Sequence, residues 1–327
     1  MKMKSTLAIL LCLASAVSGF TAIGKTDGSA GNIIKETIAF AEKDGATMYL
    51  DKYELASAPD SLARPVVLFA FGGGFYTGDR AQEYQIPYFE FLARNGFVVL
   101  STDYRTMLKN LDASRIKSPT DFLDVLQGAI DTAVVDFCDA ARYAIDHAAE
   151  WNIDPSQIVA SGSSAGAITA LQAEYDICNG RYTTSRLPED FNFAGVVSFA
   201  GAISEKKKLH WDAEPCPIML FHGNADTTVP YRKAHIIGLG GLWGSASIVR
   251  SLEKTGTPYE FHIVAGASHE IAGTPMHDNH YDIMAFLTRQ VLGGQELAIT
   301  TVEAEPGSPV KEKRFTILDY LKANTQR

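Results

Sequence analysis

One serine stands where a strand would pass into a helix. Gly162-Ser163-Ser164-Ala165-Gly166 follows the apolar run 157–160 and precedes the helix-like stretch 165–178. A turn this sharp brings backbone and side chains so close that small residues are needed two places before and two after the central one. It lifts the Ser164 hydroxyl clear of the sheet edge, and the helix N-terminus behind it favours developing negative charge. Alone, G-x-S-x-G also suits a Gly/Ser-rich turn without chemistry, because so short a pattern recurs by chance.

A second element adds chemistry. Gly72-Gly73-Gly74-Phe75 follows an apolar run ending at Phe71, and residues without Cβ can turn their N–H groups toward a ligand oxygen. In acyl transfer such N–H groups, with that of the residue after the nucleophile, hold the oxyanion of the tetrahedral intermediate. Gly73, Gly74 and Ala165 are the candidate oxyanion donors. A phosphate cradle fits less well, since neither G-x-x-x-x-G-K-[ST] nor G-x-G-x-x-G is present.

A serine hydroxyl is a weak nucleophile until a base takes its proton and a carboxylate orients that base. Residues 218–221 form an apolar run followed by His222-Gly223-Asn224-Ala225-Asp226, which places Asp226 in a loop after a strand, 62 residues beyond Ser164. Residues 259–264 are followed by Ala265-Gly266-Ala267-Ser268-His269-Glu270, which places His269 in the next such loop, 43 residues further on. Asp226 is the candidate acid and His269 the candidate base. Of the other histidines, His147 falls on a helix, His222 packs beside the acid loop and His262 sits mid-strand. His277 and His280 compete with His269, but they come where the last helix should start. Their H-x-x-H spacing lacks an evident third ligand, so structural roles are assigned to them and neither a metal nor a cofactor is expected.

The elements that must position these residues alternate short apolar runs with longer amphipathic stretches between residues 37 and 289, the signature of a mainly parallel sheet. The strand candidates 65–71, 97–100, 157–160, 193–199, 218–221 and 259–264 show no polar alternation, as expected of strands buried on both faces. Residues 37–42 and 47–53 alternate and are joined by Lys43-Asp44-Gly45-Ala46, which predicts an antiparallel hairpin at the sheet edge. Helices are expected over 84–94, 121–150, 165–178, 231–254 (interrupted by the glycines of 238–244) and 280–292. After Gly293-Gly294 the pattern stops, leaving a polar tail with a short helix over 315–323.

The chain of 327 residues is 46% hydrophobic and 20% charged, which excludes pervasive disorder. Its formal charge of −9 excludes the electrostatic footprint of a general nucleic-acid binder. Lys2 and Lys4 before the apolar run 7–14 and the string Ala14-Ser15-Ala16 predict a secretory signal peptide over residues 1–22. That run is too short to span a bilayer, which takes about 20 residues. Leu11 before Cys12 argues against lipid anchoring, so the expectation is an exported protein, periplasmic or extracellular. The division expected is therefore a signal peptide over 1–22, a catalytic domain over 23–292 and a C-terminal tail over 293–327. Cys138, Cys178 and Cys216 remain after cleavage, enough for at most one internal bridge, and three buried thiols are the simpler reading.

Together these segments resemble the α/β-hydrolase superfamily, and within it the secreted bacterial carboxylesterases with a glycine-rich oxyanion loop. The order Ser164, Asp226, His269 is that family's order. The resemblance implies an α/β-hydrolase fold: a mostly parallel sheet of about eight strands with helices on both faces and no large cap domain. Two departures stand out. Phe71 occupies the place where lipase and esterase relatives usually carry a histidine, so the glycine loop must be braced another way. Ser163 stands where many relatives have an acidic residue.

The implied reaction is two-step acyl transfer through an acyl-serine, failing below about pH 6.5 as imidazole protonates. The short connection between residues 199 and 218 leaves no room for a large helical cap. An open site would favour short acyl groups or polysaccharide-linked acetyl or feruloyl esters over long lipid chains. Phe75, Tyr76, Tyr104 and Trp243 are candidate substrate contacts, since aromatic faces suit sugars and aromatic acids. The partner expected is a small-molecule or polysaccharide-linked ester, with no nucleic acid and no membrane span. The alternatives are a serine peptidase of related fold and a catalytically silent binding protein on the same scaffold.

Overall fold

The buried strands divide their side chains between two faces. In β3 (Arg64–Ala70), Val66 and Leu68 enter one apolar cluster while Val67 and Phe69 enter another, and β4 (Val98–Thr102) and β5 (Ile153–Ser163) split in the same way. Successive strand side chains point to opposite faces, so a continuous apolar run is what a sheet covered on both sides requires. The computed structural model describes residues 31–57, 62–112, 114, 116–304 and 312–325. The signal peptide expected over residues 1–22 lies outside the described residues.

The edge hairpin forms as expected: β1 (Ile33–Lys43) and β2 (Ala46–Leu55) pair antiparallel around a turn in which Asp44 and Gly45 both have positive φ. The core strands continue with β6 (Gly195–Phe199), β8 (Ile218–Gly223) and β11 (Tyr259–Val264). The main sheet runs β1-β2-β4-β3-β5-β6-β8-β11-β12 and is parallel from β4 onward. Among the described residues it has nine strands, in keeping with the expected sheet of about eight. The ninth, β12 (Ala298–Glu303), lies in the tail and pairs with β11 from Tyr259 opposite Ala298 to Val264 opposite Glu303. Its side chains are mostly exposed, so no apolar run marks it in the sequence.

Helices cover both faces. α1 (Ile86–Arg94) packs Tyr88, Phe89 and Leu92 on one side, together with Ile283 and Phe286 of α7 (His280–Phe286). On the other side lie α2 (Pro119–Asp146), the short α3 (Ala148–Trp151), α4 (Ala165–Cys178) and α5 (Ser245–Thr255). α2 starts where the Ser118 hydroxyl accepts the Asp121 N–H at 3.1 Å, with Pro119 at the first helical position. Short α6 (Pro275–Asp278) precedes α7, and α8 (Ile317–Thr325) buries Tyr320 against Phe122 of α2.

One helix expected from the sequence forms only in its second half. Residues 231–244 form two strands, β9 (Lys233–Ile236) and β10 (Gly240–Gly244), and only α5 after them is helical. The cause is glycine: Gly238, Gly240 and Gly241 have φ of +84°, +104° and +149°, and a Cβ on Gly241 would stand 2.1 Å from the Ala234 carbonyl oxygen. With β7 (Ala202–Ser204), these strands form a small sheet ordered β7-β10-β9, just past the end of β6. Between β6 and β8 there is β7 and no helix, so no helical cap is inserted there. Among the described residues, no helix is long and apolar enough to cross a membrane.

Candidate active site

The turn from β5 into α4 is fixed by the bulk of its surroundings. Ser164 adopts φ 52° and ψ −115°, a conformation that non-glycine residues rarely take. Its N–H is held by the Phe199 carbonyl at 2.8 Å, and its own carbonyl accepts the Ile168 N–H at 2.9 Å. A Cβ on Gly162 would lie 2.3 Å from the Gly166 carbonyl oxygen, and one on Gly166 would lie 2.0 Å from that of Ala70. These two close approaches are the physical content of the small-residue requirement.

The structure brings the three distant loops together. Ser164 Oγ lies 2.8 Å from His269 Nε2, and His269 Nδ1 lies 2.8 Å from Asp226 Oδ2. A carboxylate can only accept, so Nδ1 carries the proton and Nε2 is free to accept from the serine hydroxyl. The acid and base loops are stapled to each other. Ala225 N–H donates to Ala267 O at 3.0 Å, Gly266 N–H to Asn224 Oδ1 at 2.7 Å, and a Cβ on Gly223 would stand 2.3 Å from Ala267 O.

Asp226 is buried, and burial alone would push its carboxyl up. Hydrogen bonds from His222 and His269 outweigh that and hold it well below the usual carboxylate range. The Thr228 and Val229 N–H groups also donate to its Oδ1, at 2.7 and 2.9 Å. His222 is thus more than packing beside the loop. Its Nε2 lies 3.4 Å from Asp226 Oδ2 and 3.3 Å from the Val229 carbonyl, which fixes the proton on Nε2, while Nδ1 accepts the Ser245 hydroxyl at 2.7 Å. The sequence signal for this role is only its place four residues before the acid.

The glycine loop lies against the elbow: a Cβ on Gly72 would be 3.1 Å from Ser163 O and 3.3 Å from Ser164 Cβ. Gly73 and Gly74 have φ of +136° and +63°, and a Cβ on Gly73 would meet Thr77 O at 2.0 Å. Gly73 O accepts the Tyr76 and Thr77 N–H groups at 3.0 and 3.1 Å, which closes the turn. Among the described residues, no protein acceptor takes the N–H of Gly73, Gly74 or Ala165.

The brace that replaces the missing histidine is Tyr104. Its ring stacks on Phe71 at 4.3 Å and its hydroxyl donates to the Phe71 carbonyl at 2.8 Å. Phe75, with φ 65°, is completely buried and meets Tyr104 edge-on at 6.2 Å. Phe75 and Tyr104 therefore work inside the fold, under the loop, and are not walls of an open cleft. Trp243 is also buried; its Nε1–H donates to Glu205 O at 3.2 Å within the small sheet. Of the four aromatic candidates, Tyr76 alone is half-exposed. Ser163 has a role of its own: its hydroxyl donates to Ala272 O at 2.7 Å, tying the elbow to the one-turn helix His269–Ala272 that carries the base.

The competing histidines stand elsewhere. His280 stacks on Phe91 at 3.9 Å with Nε2 at 2.7 Å from Met276 O, and His277 is exposed. No three His, Cys, Asp or Glu side chains among the described residues are grouped to hold a metal ion. Cys138, Cys178 and Cys216 are buried free thiols.

A family model named BD-FAE, an α/β-hydrolase-type esterase family, matches residues 50–208, just under half of the chain. Solved structures of esterase 2 from the Planctomycetes species Thermogutta terrifontis are similar over most of the chain. The apo form shares 24% identity with a TM-score of 0.56, covering 81% of this chain and 96% of that one. The propionate-bound form shares 23% identity with a TM-score of 0.55, covering 80% and 94%. A form phosphorylated by paraoxon shares 24% identity at the same TM-score and coverage. No curated protein sequence matches the chain. The fold is that of the α/β-hydrolases.

Proposed function

We propose that this α/β-hydrolase is a serine carboxylesterase, acting on short-chain or polysaccharide-linked acetyl or feruloyl esters after export. One observation carries the reading: Ser164, His269 and Asp226, drawn from three separate loops, are joined by two hydrogen bonds of 2.8 Å at a strained elbow.

Ser164 Oγ attacks the ester carbonyl as His269 Nε2 takes its proton, and the electron pair of the carbonyl moves onto oxygen. The N–H groups of Gly73, Gly74 and Ala165 receive that oxyanion. Collapse of the tetrahedral intermediate expels the alcohol, protonated by His269, and leaves the acyl-serine. Water, deprotonated by the same imidazole, attacks the acyl-serine and releases the acid. Asp226, kept ionised by its hydrogen bonds, stabilises the imidazolium at each protonated stage. The esterase family match and the esterase neighbours support an ester over an amide substrate. The uncapped connection between β6 and β8 supports small or polymer-borne acyl groups.

The test is hydrolysis of a chromogenic acetate ester by the wild type and by Ser164→Ala. A loss of about 10³-fold or more with unchanged circular dichroism is expected. Retained turnover in the variant refutes the nucleophile, and comparable turnover of a peptide amide panel refutes the esterase reading. Release of ferulate or acetate from decorated xylan decides the acyl group.

A further inference from the structure

We infer that a cationic groove beside the acid loop binds the carboxylates of a uronate-bearing polysaccharide, so that the ester processed at Ser164 is carried on an acidic polymer. This rests on the esterase reading above and adds the class of the carrier.

The chain as a whole is acidic, at −9. Yet Arg232, Lys233, Lys313 and Arg314 line one groove of about 670 Å³, between β9 and the segment leading into α8, over apolar Ile236 and Phe315. All four cations are exposed. Among the described residues, the one carboxylate in the lining is Glu312, which pairs with Arg232. Asp319, on α8, accepts from the Thr316 N–H and hydroxyl at 2.8 and 2.7 Å. Lys233 Nζ lies over the Trp243 ring at 5.3 Å and Lys313 Nζ over Phe315 at 5.7 Å. Both ammonium groups stand over ring faces, and among the described residues neither closes an ion pair, though the Lys313 charge acts on the nearby Asp319 carboxylate. No ion pair ties Arg314 among the described residues. Exposed Lys206 stands beside this face, since its carbonyl lies 3.0 Å from His235 Nε2 on β9.

The groove is joined to the site. Lys313 N–H donates at 3.0 Å to the carbonyl of Asn224, two residues before Asp226, and Arg232 stands six residues after that acid. Separate cations spread along a groove match repeated carboxylates along a chain better than a single small anion. The apolar floor suits the carbon faces of sugar rings, and charges in a concave site concentrate oppositely charged ligands.

The experiment compares acetylated polygalacturonate with acetylated neutral mannan. For wild type, kcat/KM on the anionic polymer should fall about fivefold between roughly 20 mM and 500 mM salt, and on the neutral polymer by less than about twofold. Lys313→Glu/Arg314→Glu should lower the anionic-to-neutral ratio of kcat/KM about fivefold, and Lys313→Gln/Arg314→Gln by a smaller factor, with melting temperature checked for both. Equal salt dependence on the two polymers, or an unchanged ratio in both variants, overturns the proposal. So does tighter sedimentation with phosphatidylglycerol vesicles than with polygalacturonate, which would make the groove a lipid-facing surface. Titration of Ser164→Ala with unesterified polygalacturonate separates the two readings. Salt-sensitive binding with no ester turnover in wild type sinks the esterase and spares the groove; turnover of simple acetates with no binding sinks the groove alone.

Discussion

The elbow between β5 and α4 and the tip of the hairpin between β9 and β10 both depend on glycine, but for opposite reasons. At the elbow, glycine is forced by neighbours: the carbonyls of Gly166 and Ala70 occupy the space that a side chain on Gly162 or Gly166 would need. At the hairpin tip, Gly238 has φ +84° and no atom lies within 4 Å of where a Cβ would stand, so only its own backbone conformation asks for glycine. The first region is held from all sides and positions a reacting atom. The second is a peripheral edge that carries exposed charge. Chemistry that tolerates little misplacement is thus built on the crowded part of the fold, and the proposed polymer contacts are built on the open part.

Gly166→Ala should break the crowded region outright, costing more than about 4 kcal/mol because backbone must move to admit the methyl group; soluble yield and thermal melting check this. Asp226→Asn should keep the fold and lower kcat on the order of 10³- to 10⁴-fold by misorienting the imidazole. Because the Asp226 carboxyl is held low, its contribution to stability is present above about pH 4 and is lost as pH falls. The stability gap between wild type and this variant should therefore narrow on acidification, as read by denaturant titration.

Tyr104→Phe removes the hydroxyl that satisfies the Phe71 carbonyl, at a cost of about 1–3 kcal/mol. A fall in kcat larger than any rise in KM would mark its effect on the glycine loop, and an unchanged kcat would limit Tyr104 to packing. Asp176 has the opposite sign to Asp226. Burial pushes its carboxyl up to about 6, against hydrogen bonds from Thr183 and Gln172. Its stability contribution is full below about pH 4 and is lost as pH rises through 6. Asp176→Asn should accordingly match wild type near pH 4 and exceed it at pH 8 by about 1–2 kcal/mol in equilibrium unfolding. Gly238→Ala should have the smallest effect, about 1 kcal/mol from the left-handed conformation alone, seen as a slight fall in melting temperature. A Gly238→Ala loss as large as that of Gly166→Ala would erase the contrast between the two regions.

The residues that converge were legible because each follows an apolar run and sits in a loop with its own local pattern: Ser164 between glycines, Asp226 after His222-Gly223, His269 after Gly266. β9 and β10 were hidden because a glycine-interrupted amphipathic stretch satisfies helix and strand periods alike. β12 was hidden because an exposed edge strand has no apolar face to announce it. Phe75 and Tyr104 were legible as aromatics near the site, but their side of the loop was not. Burial is a property of what packs around a residue and not of the residue itself.

By itself, the sequence determined the order of the reacting groups, the parallel α/β layout and the need for small residues at the elbow, since these follow from local pattern and sterics. Only the tertiary structure decided that Tyr104 braces the loop in place of a histidine, that His222 helps to hold Asp226 ionised, and that cations from β9 and the C-terminal segment share one groove. Each of these is a contact between segments far apart in the chain, and sequence spacing carries no information about which distant side chains a fold will bring within a few ångströms.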